Sequence, residues 1–176
     1  MFQGSNITAV LDLYNFTNLE KADRMYSGCT FISGKFEDLK GANNYLLNNT
    51  IKSITGMFAS CINIYGGVPS SFIEAENTIY DISELFANTY VLASNSTVEE
   101  SLNISTLFPN VTKVNKLFYN SDGRKTDYTY QQSISTSCFS NCTDCRSLFN
   151  SALISLPASM DFSSALSMQL AYANNR

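Results

Sequence analysis

Histidine and tryptophan are absent from this chain, charged residues make up only 15% of it, and proline occurs three times. The missing histidine excludes Ser/His/Asp and Cys/His catalysis, His-ligated metals and a histidine pH switch. Charge well below the usual quarter of residues, with 11 Lys and Arg against 15 Asp and Glu, argues against a phosphate-binding surface. Nucleic acid is therefore not an expected partner. No apolar run approaches the roughly 20 residues that span a bilayer. Met1 to Leu13 lack the basic and apolar regions of a signal peptide. What is present is uncharged polarity: 19 Asn, 24 Ser and 14 Thr in 176 residues that are 44% hydrophobic. That length suits a single domain over 1–176, burying about 68–70% of its unfolded surface. The chain opens inside a motif copy and is read as a segment of a longer protein.

The organising feature is a motif met five times: Ala22 to Cys29, Ile54 to Cys61, Ile82 to Thr89, Val114 to Ser121 and Cys145 to Ala152. With Met25, Met57, Leu85, Leu117 and Leu148 as anchors, the copies are 32, 28, 32 and 31 residues apart. An aromatic follows each anchor. Three before it stand Ala22, Ile54, Ile82, Val114 and Cys145; six before it stand Leu19, Ile51, Ile79, Val111 and Cys142. Four after it stand the small residues Cys29, Cys61, Thr89, Ser121 and Ala152. Agreement in so many columns lies far outside coincidence, and a period of this size marks a repeat architecture.

Apolar residues at these spacings form one stripe of a short helix. Asn18, Thr50, Thr78, Asn110 and Asn141, seven before the anchors, read as N-caps. Gly28, Ser60, Asn88, Asn120 and Ser151, three after, suit a helix C-terminal turn. Between the blocks lie β-type runs: Thr30-Phe31-Ile32, Cys61 to Tyr65, Thr89 to Leu92, Tyr128-Thr129-Tyr130 and Leu153 to Leu156. The expected fold is an α/β repeat, a leucine-rich-repeat-like solenoid of about five turns. Each turn is a short strand plus a short helix, with the strands stacked into a parallel sheet. The aromatic column of Tyr26, Phe58, Phe86, Phe118 and Phe149 belongs to the core rather than to a sugar-stacking platform.

The stretch Leu11-Asp12-Leu13-Tyr14-Asn15-Phe16, followed by a spacer and Met25-Tyr26-Ser27-Gly28-Cys29, resembles the repeat of BspA-like surface proteins. Met57-Phe58-Ala59-Ser60-Cys61 resembles a second copy, and three further copies keep the aromatic but lose the cysteine. The likeness covers roughly residues 9–160. It implies a leucine-rich-repeat-like solenoid displayed on the surface of bacteria or protists and used for adhesion to host or matrix proteins, with no catalytic residues to carry over.

Five cysteines are an odd number without the spacing of a disulfide framework. Cys138, Cys142 and Cys145 have a spacing that offers three thiolates to a zinc ion. Cys142 and Cys145, however, occupy stripe columns where other copies carry Leu, Ile or Val, so packed core is the favoured reading, with a disulfide and a metal behind it. Cys29 and Cys61 read as neighbouring rungs, bridged only if their Cα atoms lie within about 7 Å. Asp122, Gly123 and Asp127 resemble a calcium loop, but Arg124 and Lys125 intrude, and a solvated loop is preferred. Glu74 with Glu76, and Glu99 with Glu100, imitate a glycosidase pair, though an exposed polar face accounts for them better. Seven Asn-x-Ser/Thr sequons (Asn6, Asn15, Asn48, Asn95, Asn103, Asn110 and Asn141) exceed only slightly the about four or five that chance supplies in such a composition.

No catalytic, cofactor or metal residue is therefore assigned, and no ligand residue is named. The expected function is a non-enzymatic binding module on a cell surface, meeting host or matrix proteins or surface glycans through its sheet face and adjoining loops. The alternative is a structural spacer within a larger surface or virion protein.

Overall fold

In the computed structural model, which describes residues 1–39, 45–74, 76–98, 100–123 and 128–174, each motif block is a run of overlapping turns. In the block around Met25, the N–H groups of Met25, Ser27 and Cys29 donate to the carbonyls of Ala22, Arg24 and Tyr26. The alternate N–H groups of Ala22, Arg24, Tyr26 and Gly28 donate sideways, to Ser53, Thr55, Met57 and Ala59 of the next block at 2.7–3.0 Å. The same interleaving recurs at Met57, Leu85, Leu117 and Leu148, so roughly half of each block's donors serve its neighbour.

This conformation overturns the expected helices. Two residues in every block adopt left-handed backbone: Arg24, Gly56, Glu84, Lys116 and Ser147 before the anchor, and Gly28, Ser60, Asn88, Asn120 and Ser151 three after it, with φ from +49° to +74°. An α-helix needs φ near −63° throughout and keeps its interior N–H groups for its own carbonyls. The stripe misled because a turn ribbon also brings the chain back to the interior every three or four residues. Only one α-helix forms among the described residues, α1 (Ile104–Leu107), capped by Asn103 Oδ1 accepting from the Thr106 N–H at 3.2 Å. The column read as N-caps caps nothing. Instead Thr50 Oγ1 donates to the Leu19 carbonyl, Asn110 Nδ2 to that of Asn77, and Asn141 Nδ2 to that of Pro109.

The expected sheet of five stacked strands is likewise not formed. Among the described residues the strands are β1 (Ser33–Lys35), β2 (Asn63–Tyr65), β3 (Ala93–Ser94) and β4 (Tyr130–Gln131). β1 and β2 pair in parallel with Gly34 opposite Ile64, whereas β3 and β4 pair antiparallel. Of the runs read as strands, Cys61 to Tyr65 contains β2 and Tyr128 to Tyr130 ends at β4. Thr30 to Ile32 and Thr89 to Leu92 fall just short of β1 and β3. Leu153 makes only a single bridge, to Asp122. A leucine-rich-repeat-like solenoid of strand-plus-helix turns is therefore not this fold. The blocks spend their alternate amides on one another, and the connections between them are too irregular to extend a sheet.

Burial follows the columns even though conformation does not. Ile54, Met57, Phe58 and Cys61 are fully buried, as are Ile82, Leu85 and Phe86, and Val114, Leu117 and Phe118. The aromatic column stacks continuously, Tyr26 on Phe58 at 5.5 Å, Phe58 on Phe86 at 6.5 Å, Phe86 on Phe118 at 6.0 Å and Phe118 on Phe149 at 5.9 Å. Each pair adds about 0.5–1.5 kcal/mol beyond its area.

The stack is longer than the sequence pattern. Phe2 continues it at one end (5.9 Å from Tyr26) and Tyr172 at the other (5.7 Å from Phe149). Around them lie two further blocks: Phe2 and Gly4 donate to Met25 and Ser27, while Phe149 and Ser151 donate to Ala171 and Ala173. Gly4, Leu170 and Asn174 take the left-handed positions. A second layer, Phe36, Phe72, Phe108, Phe139 and Phe162, packs beside the first; Phe36 meets Phe58 and Phe86 edge-on at 5.3 and 5.6 Å. Phe108, Phe139 and Phe162 each stand nine residues before an anchor (Leu117, Leu148 and Ala171), a position not counted among the motif columns, whereas Phe36 and Phe72 have no such fixed offset.

Candidate functional site

Among the described residues, a concavity lies among the connections. Gly66 and Gly67, with φ of +98° and +88°, turn the chain after β2 and donate to the carbonyls of Ala93 and Val91, each at 2.7 Å. A Cβ on Gly67 would stand 3.0 Å from the Gln132 carboxamide and 3.3 Å from Val98 Cγ1, so glycine is required for this approach. Gln132 is 1% exposed. Its Oε1 accepts from the Val68 N–H at 2.8 Å, and its Nε2 donates to the carbonyls of Val68 at 3.0 Å and Glu100 at 3.1 Å. One side chain thus ties the 66–71 connection to the 100–103 segment, pairing with the Val68 backbone as a strand would.

The clamp leaves two adjoining hollows that share Val68, Pro69, Ser70 and Glu100. The first, about 240 Å³, is lined by Val68, Ile73, Leu102 and Leu107, with Tyr45 at one side and Thr106 of α1 at another. Tyr45 is stacked on Tyr14 at 6.1 Å. Tyr14 Oη donates to Glu74 Oε1 at 3.0 Å, and this bond to a carboxylate raises the Tyr14 pKa above its ordinary value. The second hollow, about 310 Å³, carries Ser94, Ser96 and Thr97 with Lys35 and Glu37. Glu100 Oε2 accepts from the Ser70 N–H at 3.3 Å, which holds its carboxylate at the junction. The site therefore offers an apolar hole beside a shelf of hydroxyls, with one acidic group between them.

The residues weighed for chemistry lie elsewhere or serve structure. Cys138, Cys142 and Cys145 are wholly buried, as are Cys29 and Cys61, and all five are free thiols. Among the described residues no group of three or more Cys, Asp or Glu is arranged to hold a metal ion. Burial pushes the Cys61 and Cys138 thiols up to about 12. A hydrogen bond to Cys145, and then burial, raises Cys142 as well. Cys61, Cys138 and Cys142 are therefore neutral at physiological pH, while the bond from Cys142 lowers Cys145; thiolate is the form that ligates or attacks. Cys29 and Cys61 do more than fill space: their Sγ atoms donate to the carbonyls of Phe2 at 2.9 Å and Tyr26 at 3.0 Å. Ser121 Oγ makes the same bond to Phe86 at 2.6 Å, whereas Ala152 in the same column has no side-chain donor.

Glu74 is occupied by Tyr14 and by the Asn49 N–H, and Glu76 is exposed. Glu99, the partner imagined for Glu100, lies outside the described residues, as do Arg124, Lys125 and Asp127 of the loop read as calcium-like. Of the sequon asparagines, Asn6, Asn15 and Asn95 are exposed, whereas Asn48 is buried with Nδ2 on the Tyr14 carbonyl at 2.6 Å. The extended sheet face expected to bind is not formed among the described residues, where the sheets have two strands each. The groove residues were missed in the sequence: Gly66-Gly67-Val68-Pro69 signals a turn, but nothing marks Gln132 as its partner 64 residues away.

No helix among the described residues is long and apolar enough to cross a membrane. No protein-family model, no characterised protein and no solved structure matches this chain. The likeness to BspA-like surface proteins accordingly rests on the motif residues alone.

Proposed function

We propose that the chain is a non-enzymatic binding module of a cell surface that grips a segment of a partner protein. The partner would place one bulky apolar side chain in the hole beneath Tyr45 and lay its polar backbone along the Ser94–Thr97 shelf. The carrying observation is the apolar hollow of Val68, Ile73, Leu102 and Leu107, with Glu100 and hydroxyls at its mouth. A concave apolar site with a few fixed polar groups is the usual form of a recognition site.

Selection from a random peptide library on the immobilised chain tests this reading. The expected peptides share an aromatic or large aliphatic anchor, and Thr106→Trp, a change at an exposed rim position, should weaken them tenfold or more. Selected peptides without an anchor, or binding indifferent to Thr106→Trp, would remove the proposal.

A further inference from the structure

The groove presents unequal charge to a partner. Its first hollow is lined by apolar and uncharged polar side chains, and Glu100 is the only charged residue among the described ones that line it. Lys35 and Glu37 line the second hollow alone, whereas Glu100, with Pro69 and Ser70, belongs to both. The charge nearest the apolar hole is therefore negative.

Glu100 is fixed at two points. Its backbone carbonyl accepts from Gln132 Nε2 at 3.1 Å, and its Oε2 accepts from the Ser70 N–H at 3.3 Å. Among the described residues, its Oε1 receives no hydrogen bond and no Lys or Arg is paired with it. Elsewhere the acids are matched: Glu20 with Lys52, Glu84 with Arg24 and Asp144 with Arg146. Glu100 is exposed, so a partner can reach the open oxygen. An exposed ion pair is weak largely because two long side chains must be ordered to make it, and here one is already ordered. The chain as a whole carries a net charge of −4, which draws cations rather than anions.

We infer, on the basis of the anchored docking proposed above, that the partner segment carries a Lys or Arg next to its apolar anchor and that Glu100 selects for it. The anchor would fill the hole of Val68, Ile73, Leu102 and Leu107. The neighbouring cation would lay its methylene stem over Pro69 and donate to Glu100 Oε1. An acidic residue at that place in the partner would face Glu100 and be rejected. The site thus reads two features of a protein segment, bulk and positive charge.

Short blocked peptides test this, each with one Phe in a Ser background and Lys, norleucine or Glu placed one or two residues to either side. At the favoured position the Lys peptide should bind about three- to fivefold more tightly than its norleucine counterpart, with Glu weakest. High salt should shrink that preference. Glu100→Gln keeps an acceptor for the Ser70 N–H but removes the charge, and should level Lys with norleucine. Glu100→Lys should reverse the order in favour of Glu. Thr106→Trp should weaken every Phe peptide whatever its charge, which separates charge selection from anchoring. If it does so while Lys and norleucine bind alike at every position, or while Glu100→Gln leaves the Lys preference intact, charge selection is overturned and the anchored site stands. If no Phe peptide binds, or Thr106→Trp changes nothing, the anchored site falls and charge selection falls with it.

Discussion

The stacked blocks and the loop groove are held together by different means. In the blocks, the main contacts are repeated: the same alternate amides, the same ring stack and the same left-handed pair of residues recur from one copy to the next. The groove is held by contacts that occur once. Gln132 alone joins Val68 to Glu100, and Gly67 alone permits its approach. Stability built from repetition leaves its mark in the sequence, whereas a recognition site is built from exceptions to it.

The contrast can be broken most strongly at Phe86. It is fully buried between Phe58 and Phe118, and Phe86→Ala should cost about 3–5 kcal/mol in denaturant unfolding. A loss as small as that of an exposed substitution would show that the stack does not carry the fold.

Alkaline pH probes the same core. Burial raises Cys61 and Cys138 to about 12, from the 9.0 of an ordinary thiol, and Tyr26 to about 12 from 10.0. A group whose folded pKa lies above its unfolded value stabilises fully below the unfolded value and loses that contribution as pH rises toward the folded one. The denaturation midpoint should be level to about pH 9 and fall between 9 and 12. Each thiol contributes up to roughly 1.4 kcal/mol per pH unit in that window. A midpoint that stays flat to pH 12 would mean these groups are hydrated.

Gln132→Leu probes the groove. It strands the Val68 N–H and carbonyl, and about 1–3 kcal/mol per buried unpaired group is at stake. Hydrogen exchange should quicken at Val68 while the lateral amides of Phe58 and Phe86 keep their protection. Equal quickening everywhere would merge the two regions into one cooperative unit.

The smallest effect decides the block conformation. Lys116 has φ +56°, so Lys116→Gly should be neutral or slightly stabilising, because glycine relieves a left-handed strain of about 1–2 kcal/mol against its own entropic cost. In a helix the same change would cost about 1 kcal/mol. The sign of the change in melting temperature therefore distinguishes turn ribbon from helix.

Much of the core was legible in the sequence, because burial depends only on which side chains recur at the inward positions. Met57, Leu85, Leu117 and Phe118 are buried as their columns require. Gly28, Asn88 and Asn120 do adopt the left-handed backbone their types favour, although no helix ends there. The error concerned hydrogen bonding. Nothing in Arg24, Glu84 or Lys116 announces a positive φ, since these residues adopt it only because their alternate amides have an acceptor in the next block. The first and last blocks were missed for a related reason: Ala171 replaces the large anchor, and the spacings of 24 and 23 residues break the period. The groove was illegible because its residues are distant in the chain and carry no pattern.

The sequence by itself determined the inward columns of the five central blocks and the low charge of the chain, since apolar spacing and composition are properties of the chain alone. Tertiary structure decided whether each amide serves its own block or the next, and which loops meet. Those choices depend on acceptors about 30 residues away, as between Arg24 and Thr55, or about 60, as between Gln132 and Val68. A local pattern in the chain carries no information about partners at that distance.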